Sequence, residues 1–184
     1  MRTSFPALLP VASRWCGPLP EKLHPSASAT MLNEDYREML QILSDEKVDF
    51  LLVGAYAMAA HGYPRATLDI DIWVLPSLKN AKAIIKALAQ FGAPLDKVTE
   101  DDFTADGTIF QIGVAPRRID IITSASGLTF DTAARNSQAI DIGGITVRIP
   151  SLDDLITNKR ASGRTKDIAD AEALESIKLS EPET

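Results

Sequence analysis

Thiol and imidazole ligands are scarce in this chain, with one cysteine, Cys16, and two histidines, His24 and His61, among 184 residues. A lone cysteine excludes an intramolecular disulfide framework and a multi-cysteine zinc site. Hydrophobic runs are short as well, and none approaches the roughly 20 residues that cross a bilayer. No membrane partner is therefore expected, and a reducing cytoplasm is the expected compartment. Basic charge is not in excess either. The formal net charge of −6 argues against a general nucleic-acid coat, although acceptor binding can rest on a local handful of Arg and Lys. What remains is ordinary in bulk: 45% apolar and 24% charged residues suit one globular domain with a small helical appendage.

Proline is the one residue type that is locally abundant. Pro6, Pro10, Pro18, Pro20 and Pro25 crowd residues 1–30, beside Ser26 and Ser28, without a hydrophobic period. The expectation here is a disordered N-terminal extension, with Met31 as a candidate natural start. Pro6 and Pro10 interrupt the apolar residues between Phe5 and Ala12, and Arg14 ends them, so a secretion signal is not expected.

From Asn33 the pattern becomes regular. Asn33 can cap a helix reaching Ser44, with Tyr36, Met39, Leu40 and Leu43 on one face. Val48 to Val53 reads as a buried strand, Ala55 to His61 as a short helix, and Leu68 to Val74 as a second strand. Ser77 opens a helix to Phe91 whose predicted apolar stripe is Leu78, Ala81, Ile85 and Leu88. Thr108 to Val114 and Arg118 to Thr123 read as strands around Pro116, and Phe130 to Asn136 as a short helix. Ala139 to Ile142 and Ile145 to Ile149 flank Gly143-Gly144 as a hairpin. Helices follow from Ser151 and from Thr165 to Ile177. The order predicts an α/β (α+β) fold: a mixed sheet flanked by helices, with a helical C-terminal part.

Two aspartates, Asp69 and Asp71, stand inside the run Leu68-Asp-Ile-Asp-Ile-Trp-Val74. Strand side chains alternate between faces, so both carboxylates, and Trp73 with them, leave the same face. Like charges that close repel, and each is costly to desolvate unpaired. A divalent cation answers both objections, and hard oxygen ligands suit Mg²⁺ or Mn²⁺. A third acid is expected nearby, and Asp120, in Arg118-Ile-Asp-Ile-Ile122, has the same setting. Gly54-Ala55 stands directly after a strand, with thirteen residues between it and Asp69. Glycine there permits close approach of the backbone, and free amides at a helix start can receive phosphate. Three carboxylates holding two metals would suit phosphoryl transfer. A solvent-facing strand edge would carry an Asp pair without any such meaning.

Val53-Gly54-Ala55, Asp69-Ile-Asp71-Ile and Asp120 together resemble the nucleotidyltransferase superfamily that includes DNA polymerase β. The longer form, with Gly62, Arg65 and Thr67 ahead of the Asp pair, is similar to its small AbiEii-like bacterial branch, some members of which are toxins. The resemblance spans Met31 to Leu174 and implies a nucleotidyltransferase-like domain over residues 31–184. It implies transfer of a nucleoside monophosphate from an NTP such as ATP to a hydroxyl of RNA, protein or a small molecule, releasing pyrophosphate. Asp69, Asp71 and Asp120 would be the catalytic metal ligands. Gly54, Ala55, Arg65, Lys159, Arg164 and Asp167 would line the nucleotide site, because a Lys…Arg-x-x-Asp-x-x-Asp pattern like Lys159…Arg164-x-x-Asp167-x-x-Asp170 closes that branch.

One residue departs from the pattern. Ala55 stands where the family has Gly or Ser, so a hydroxyl is missing and only the backbone amide remains. The departure favours a rival, a non-catalytic relative binding a nucleotide or a protein partner, such as a cognate toxin or antitoxin. A metal-dependent phosphohydrolase is the third reading, and the scarcity of histidine opposes it. Arg164 and Asp170 also read as a solvated helix face with an i, i+3 pair to Asp167. Arg65 reads equally as a partner for a surface acid. Arg117 and Arg118 read as a charged strand end or as contacts for an acceptor phosphate, His61 as a helix-end residue, and Tyr56 as packing.

Overall fold

A computed structural model describes residues 32–114 and 116–180. The expectations for residues 1–30, Met31 and Cys16 lie outside the described residues. The first helix, α1 (Glu34–Asp45), starts where the Asn33 side chain accepts a hydrogen bond from the Asp35 amide. Such a cap stabilises a helix by about 1 kcal/mol. It buries Tyr36, Met39, Leu40 and Leu43, the face that the sequence pattern predicts, and Ile42 beside them.

Strand β1 (Phe50–Val53) runs directly into helix α2 (Gly54–Ala60), and β2 (Asp69–Val74) returns antiparallel to β1. Helix α3 (Leu78–Phe91) is capped by Ser77. Its buried stripe is Asn80, Ala81, Ile84, Ala87 and Leu88, while Leu78 is exposed and Ile85 only half-buried. The predicted stripe is thus rotated, and Asn80 supplies the reason. Its side chain hydrogen-bonds the Asp49 amide and the carbonyls of Asp49 and Leu75, which turns a polar residue inward. A 3₁₀ turn at Glu100–Phe103 then leads to β3 (Ile109–Ile112) and β4 (Arg118–Ile122). The four strands form one mixed sheet in the order β1-β2-β4-β3, in which only β2 and β4 are parallel.

Alternation divides the sheet into two chemically different faces. On one, Leu52, Ile70, Ile72, Ile119 and Ile121 pack into the main core with Met39, Leu43, Ile84 and Leu88 of α1 and α3. On the other, Leu51, Val53 and Trp73 form a smaller cluster with Ala133 and Phe130 of α4 (Phe130–Asn136). Trp73 meets Phe130 edge to face at 5.3 Å between ring centroids. The acids share this second face. The hairpin of β5 (Gln138–Ile142) and β6 (Ile145–Ile149) forms a separate two-stranded sheet, and β6 packs beside β1. Helices α5 (Leu152–Ser162) and α6 (Thr165–Ser180) close the chain and pack on each other. Gly163, at φ 68°, takes the left-handed conformation that ends α5 and permits this reversal. Among the described residues no helix is long and apolar enough to cross a membrane.

Candidate functional site

The parallel pairing of β2 and β4 sets the site. Its register places Asp69 opposite Arg118 and Asp71 opposite Asp120. All four side chains therefore leave the same face of the sheet, on strands about 5 Å apart. Gln111 of β3 is the next neighbour, opposite Asp120. Thr67 donates to Asp69 Oδ1 at 2.6 Å, and the Gln111 amide donates to both oxygens of Asp120 at 3.3 Å. The Tyr36 hydroxyl, pushed up to about 12 chiefly by burial, donates to the carbonyls of Leu68 and Pro116, the residues leading into β2 and β4.

Arg118 occupies a bridging position. Its guanidinium donates to Asp69 Oδ2 at 2.5 Å, to Asp120 Oδ1 at 2.8 Å and to Asp120 Oδ2 at 3.0 Å. The sequence pattern reads this residue as a strand end or an acceptor contact; the structure makes it the internal counter-ion of two of the three acids. Among the described residues Asp71 has no such partner. Burial first, then the charges of Asp69 and Asp120, push its carboxyl up to about 6. Lys159 and Arg118 oppose that shift, but both cations are ion-paired elsewhere.

Gly54 explains how Asp71 fits. At φ 64°, Gly54 makes the strand-to-helix turn, and a Cβ on it would lie 2.0 Å from Asp71 Oδ2. Only a residue without a side chain allows the carboxylate to lie against the backbone there. Ala55, by contrast, is buried and takes no part in lining the cavity.

The C-terminal helices bring a second group of charges. Lys159 Nζ donates to Asp167 Oδ1 at 2.7 Å and lies 3.5 Å from Asp170. Ser162 and Arg164 both donate to Asp167 Oδ2, at 2.6 and 2.5 Å. Burial alone would raise the Asp167 carboxyl, but these hydrogen bonds outweigh it and hold it down at about 2. Arg65 Nε is 3.7 Å from Asp170 Oδ2, and neither atom has a hydrogen-bond partner among the described residues.

Both groups face one cavity of about 810 Å³, large enough for a nucleotide. Asp69, Asp71 and Asp120 line it together with Gly54, Arg65, Lys159, Arg164 and Asp167, so of the nine catalytic and nucleotide-site residues that the resemblance implies only Ala55 stands outside. His61 is the C-terminal cap of α2, its ring hydrogen-bonded to the Pro150 carbonyl at 2.9 Å. Sequence reading missed Gln111 and Ser162. Gln111 was visible in principle, since it lies on a strand whose alternation puts it on the acid face. Ser162 carries no local signal, because only the fold brings α5 back onto α6.

The sequence and the fold both have relatives. A family model described as nucleotidyltransferase of unknown function (DUF6036) matches residues 29–181. The chain belongs to this family. The match does not extend to the AbiEii-like branch that the longer motif resembles. Three solved structures share the fold of this DUF6036 chain. The antibiotic-resistance factor ANT(2'')-Ia is 16% identical with a TM-score of 0.52, over 79% of this chain and 86% of that one. A lincosamide antibiotic adenylyltransferase, LnuA, solved with lincomycin, is 15% identical with a TM-score of 0.50, over 79% and 97%. A candidate nucleotidyltransferase from Thermotoga maritima is 17% identical with a TM-score of 0.50, over 79% and 91%. A search of the curated proteins finds no match.

The residues of this DUF6036 member suit a divalent cation by type. Three hard oxygen ligands share one face, and the half-buried Asp71 carboxylate has no ion-pair partner among the described residues. As they stand, no three His, Cys, Asp or Glu side chains among the described residues gather closely enough to hold an ion. Between Asp69 and Asp120 the guanidinium of Arg118 takes that place.

Proposed function

We propose that the protein transfers a nucleoside monophosphate from an NTP, with ATP the first to test, to a hydroxyl acceptor. The observation that carries this reading is the Asp71 carboxylate, held against Gly54 and left uncompensated beside two further acids and a nucleotide-sized cavity. Asp69, Asp71 and Asp120 would hold Mg²⁺ or Mn²⁺, which supplies positive charge to the phosphates when bound. The acceptor hydroxyl gives up its proton to solvent as its oxygen attacks the α-phosphorus, the bond from that phosphorus to the α–β bridging oxygen breaks, and pyrophosphate leaves. Asp120, which accepts from Gln111, would orient the metal on the acceptor side. Arg65, Lys159 and Arg164 line the same cavity and would supply positive charge to a triphosphate there.

A small molecule with several hydroxyls is the acceptor class to try first. Two of the structural neighbours are described with antibiotics, and one holds adenylyl-2''-tobramycin. RNA and protein hydroxyls are the other arms. In the test, α-labelled ATP, Mg²⁺ and each acceptor class are incubated with the protein, and the label is followed into the acceptor. Wild type transfers label, and Asp71→Asn lowers transfer by about 10³-fold or more. Equal transfer by Asp69→Asn removes the catalytic reading. The buried Ala55, which offers no hydroxyl to phosphate, favours a second reading: a nucleotide- or partner-binding relative, such as one half of a toxin–antitoxin pair. Binding of Mg-ATP by calorimetry without any transfer would select it.

A further inference from the structure

Arg118 stands where metal chemistry would place a cation. Its three hydrogen bonds engage one oxygen of Asp69 and both oxygens of Asp120. A guanidinium and a divalent ion cannot occupy the same gap between these oxygens, because each needs the same lone pairs and the two cations repel. The Arg118 side chain is about one-third exposed, so it can leave without repacking the core. What it needs is another anion. The cavity that it borders is the one proposed to take a triphosphate, whose oxygens fit the same planar fork.

The geometry points to Arg118 as a resident counter-ion that yields the Asp69–Asp120 gap to metal when nucleotide phosphates draw it away. Metal and nucleotide then favour each other's binding, by the same factor in each direction. The inference rests on the proposed nucleotidyl-transfer site and gives that site an order of assembly. Arg118 thus exchanges the two carboxylates for the nucleotide phosphates.

The test is Mn²⁺ binding followed by electron paramagnetic resonance. It is run with and without an ATP analogue whose α–β bridging oxygen is replaced by methylene, correcting for Mn²⁺ held by free analogue. Wild type is expected to bind Mn²⁺ weakly alone and at least tenfold more tightly with the analogue. Arg118→Gln, which keeps a polar side chain and loses the charge, is expected to bind Mn²⁺ alone at least tenfold more tightly than wild type. Its enhancement by the analogue shrinks accordingly, whereas Arg118→Lys keeps the wild-type pattern. Arg118→Gln that binds Mn²⁺ alone no better than wild type overturns the inference while leaving the proposed function standing. No Mn²⁺ binding by any form, with or without the analogue, overturns both. Should Arg118→Gln fail to fold, wild type decides: tight Mn²⁺ binding that the analogue does not change also overturns the inference.

Discussion

Asp71 and Asp167 line the same cavity, yet one carboxyl is held at about 6 and the other at about 2. Burial raises both. What separates them is the supply of partners. Asp167 receives hydrogen bonds from Lys159, Ser162 and Arg164, so its charge is matched within the chain. Asp71 has like charges on either side, and a glycine against it in place of a donor. A carboxylate of the first kind holds two helices together. One of the second kind keeps an unmet demand for a cation, which is the property of a binding site.

The sharpest way to break this contrast is to neutralise each acid in turn. Asp167→Asn removes the main partner of the buried Lys159 ammonium and is expected to cost about 3 kcal/mol in urea unfolding. The sign in acid follows from the lowered pKa. The contribution of Asp167 is present above the ordinary value of 3.8 and is lost as the pH falls through about 2. The deficit of the variant should therefore vanish over that window. A wild-type urea midpoint for Asp167→Asn at pH 7 would show that the pair holds nothing.

Asp71→Asn should move the other way. With the folded pKa raised from 3.8 to about 6, the stability tied to the neutral carboxyl is full below 3.8 and lost as the pH rises through 6. The Asn side chain does not ionise, so at pH 8 the metal-free variant should be the more stable, by about 2 kcal/mol. The gain should fade by about pH 4. Saturating Mn²⁺ should stabilise wild type and not the variant. Thermal melts at pH 4 and pH 8, with and without Mn²⁺, measure all of this; a destabilised variant at pH 8 would erase the contrast.

The smallest effect on stability is expected from Gly54→Ala. The positive φ costs about 1–2 kcal/mol for a residue with a side chain. The new methyl would also turn the Asp71 carboxylate aside, so Mn²⁺ binding should drop while the fold persists. Unaltered Mn²⁺ binding by Gly54→Ala would show that Asp71 does not need the position that Gly54 allows.

Much of the acid face was legible in the sequence. Alternation alone puts Asp69, Asp71 and Trp73 on one side of β2, and the apolar run around Asp120 marks it as an inner strand. Neither pattern carries the register between two parallel strands 49 residues apart, so the pairing of Arg118 with Asp69 appears only in the fold. The cap residues Asn33, Ser77 and Ser151 mark helix starts correctly because capping is local. The stripe of α3 is misread because Asn80 answers to the distant backbone of Asp49. Lys159 lines the cavity, and no local pattern announces its engagement by Asp167, which depends on how α5 turns back onto α6.

That turn has a consequence for how the protein is made. All three sheet acids are synthesised before α5 and α6, which supply Lys159 and the partners of Asp167. Arg65 and Asp170 meet across more than half of the chain. On the ribosome the acid strands emerge first, and Lys159 and Arg164 reach the cavity only when the final helices dock. A nascent chain halted before Thr165 would thus carry the sheet with Lys159 unmatched, and the cavity would close last.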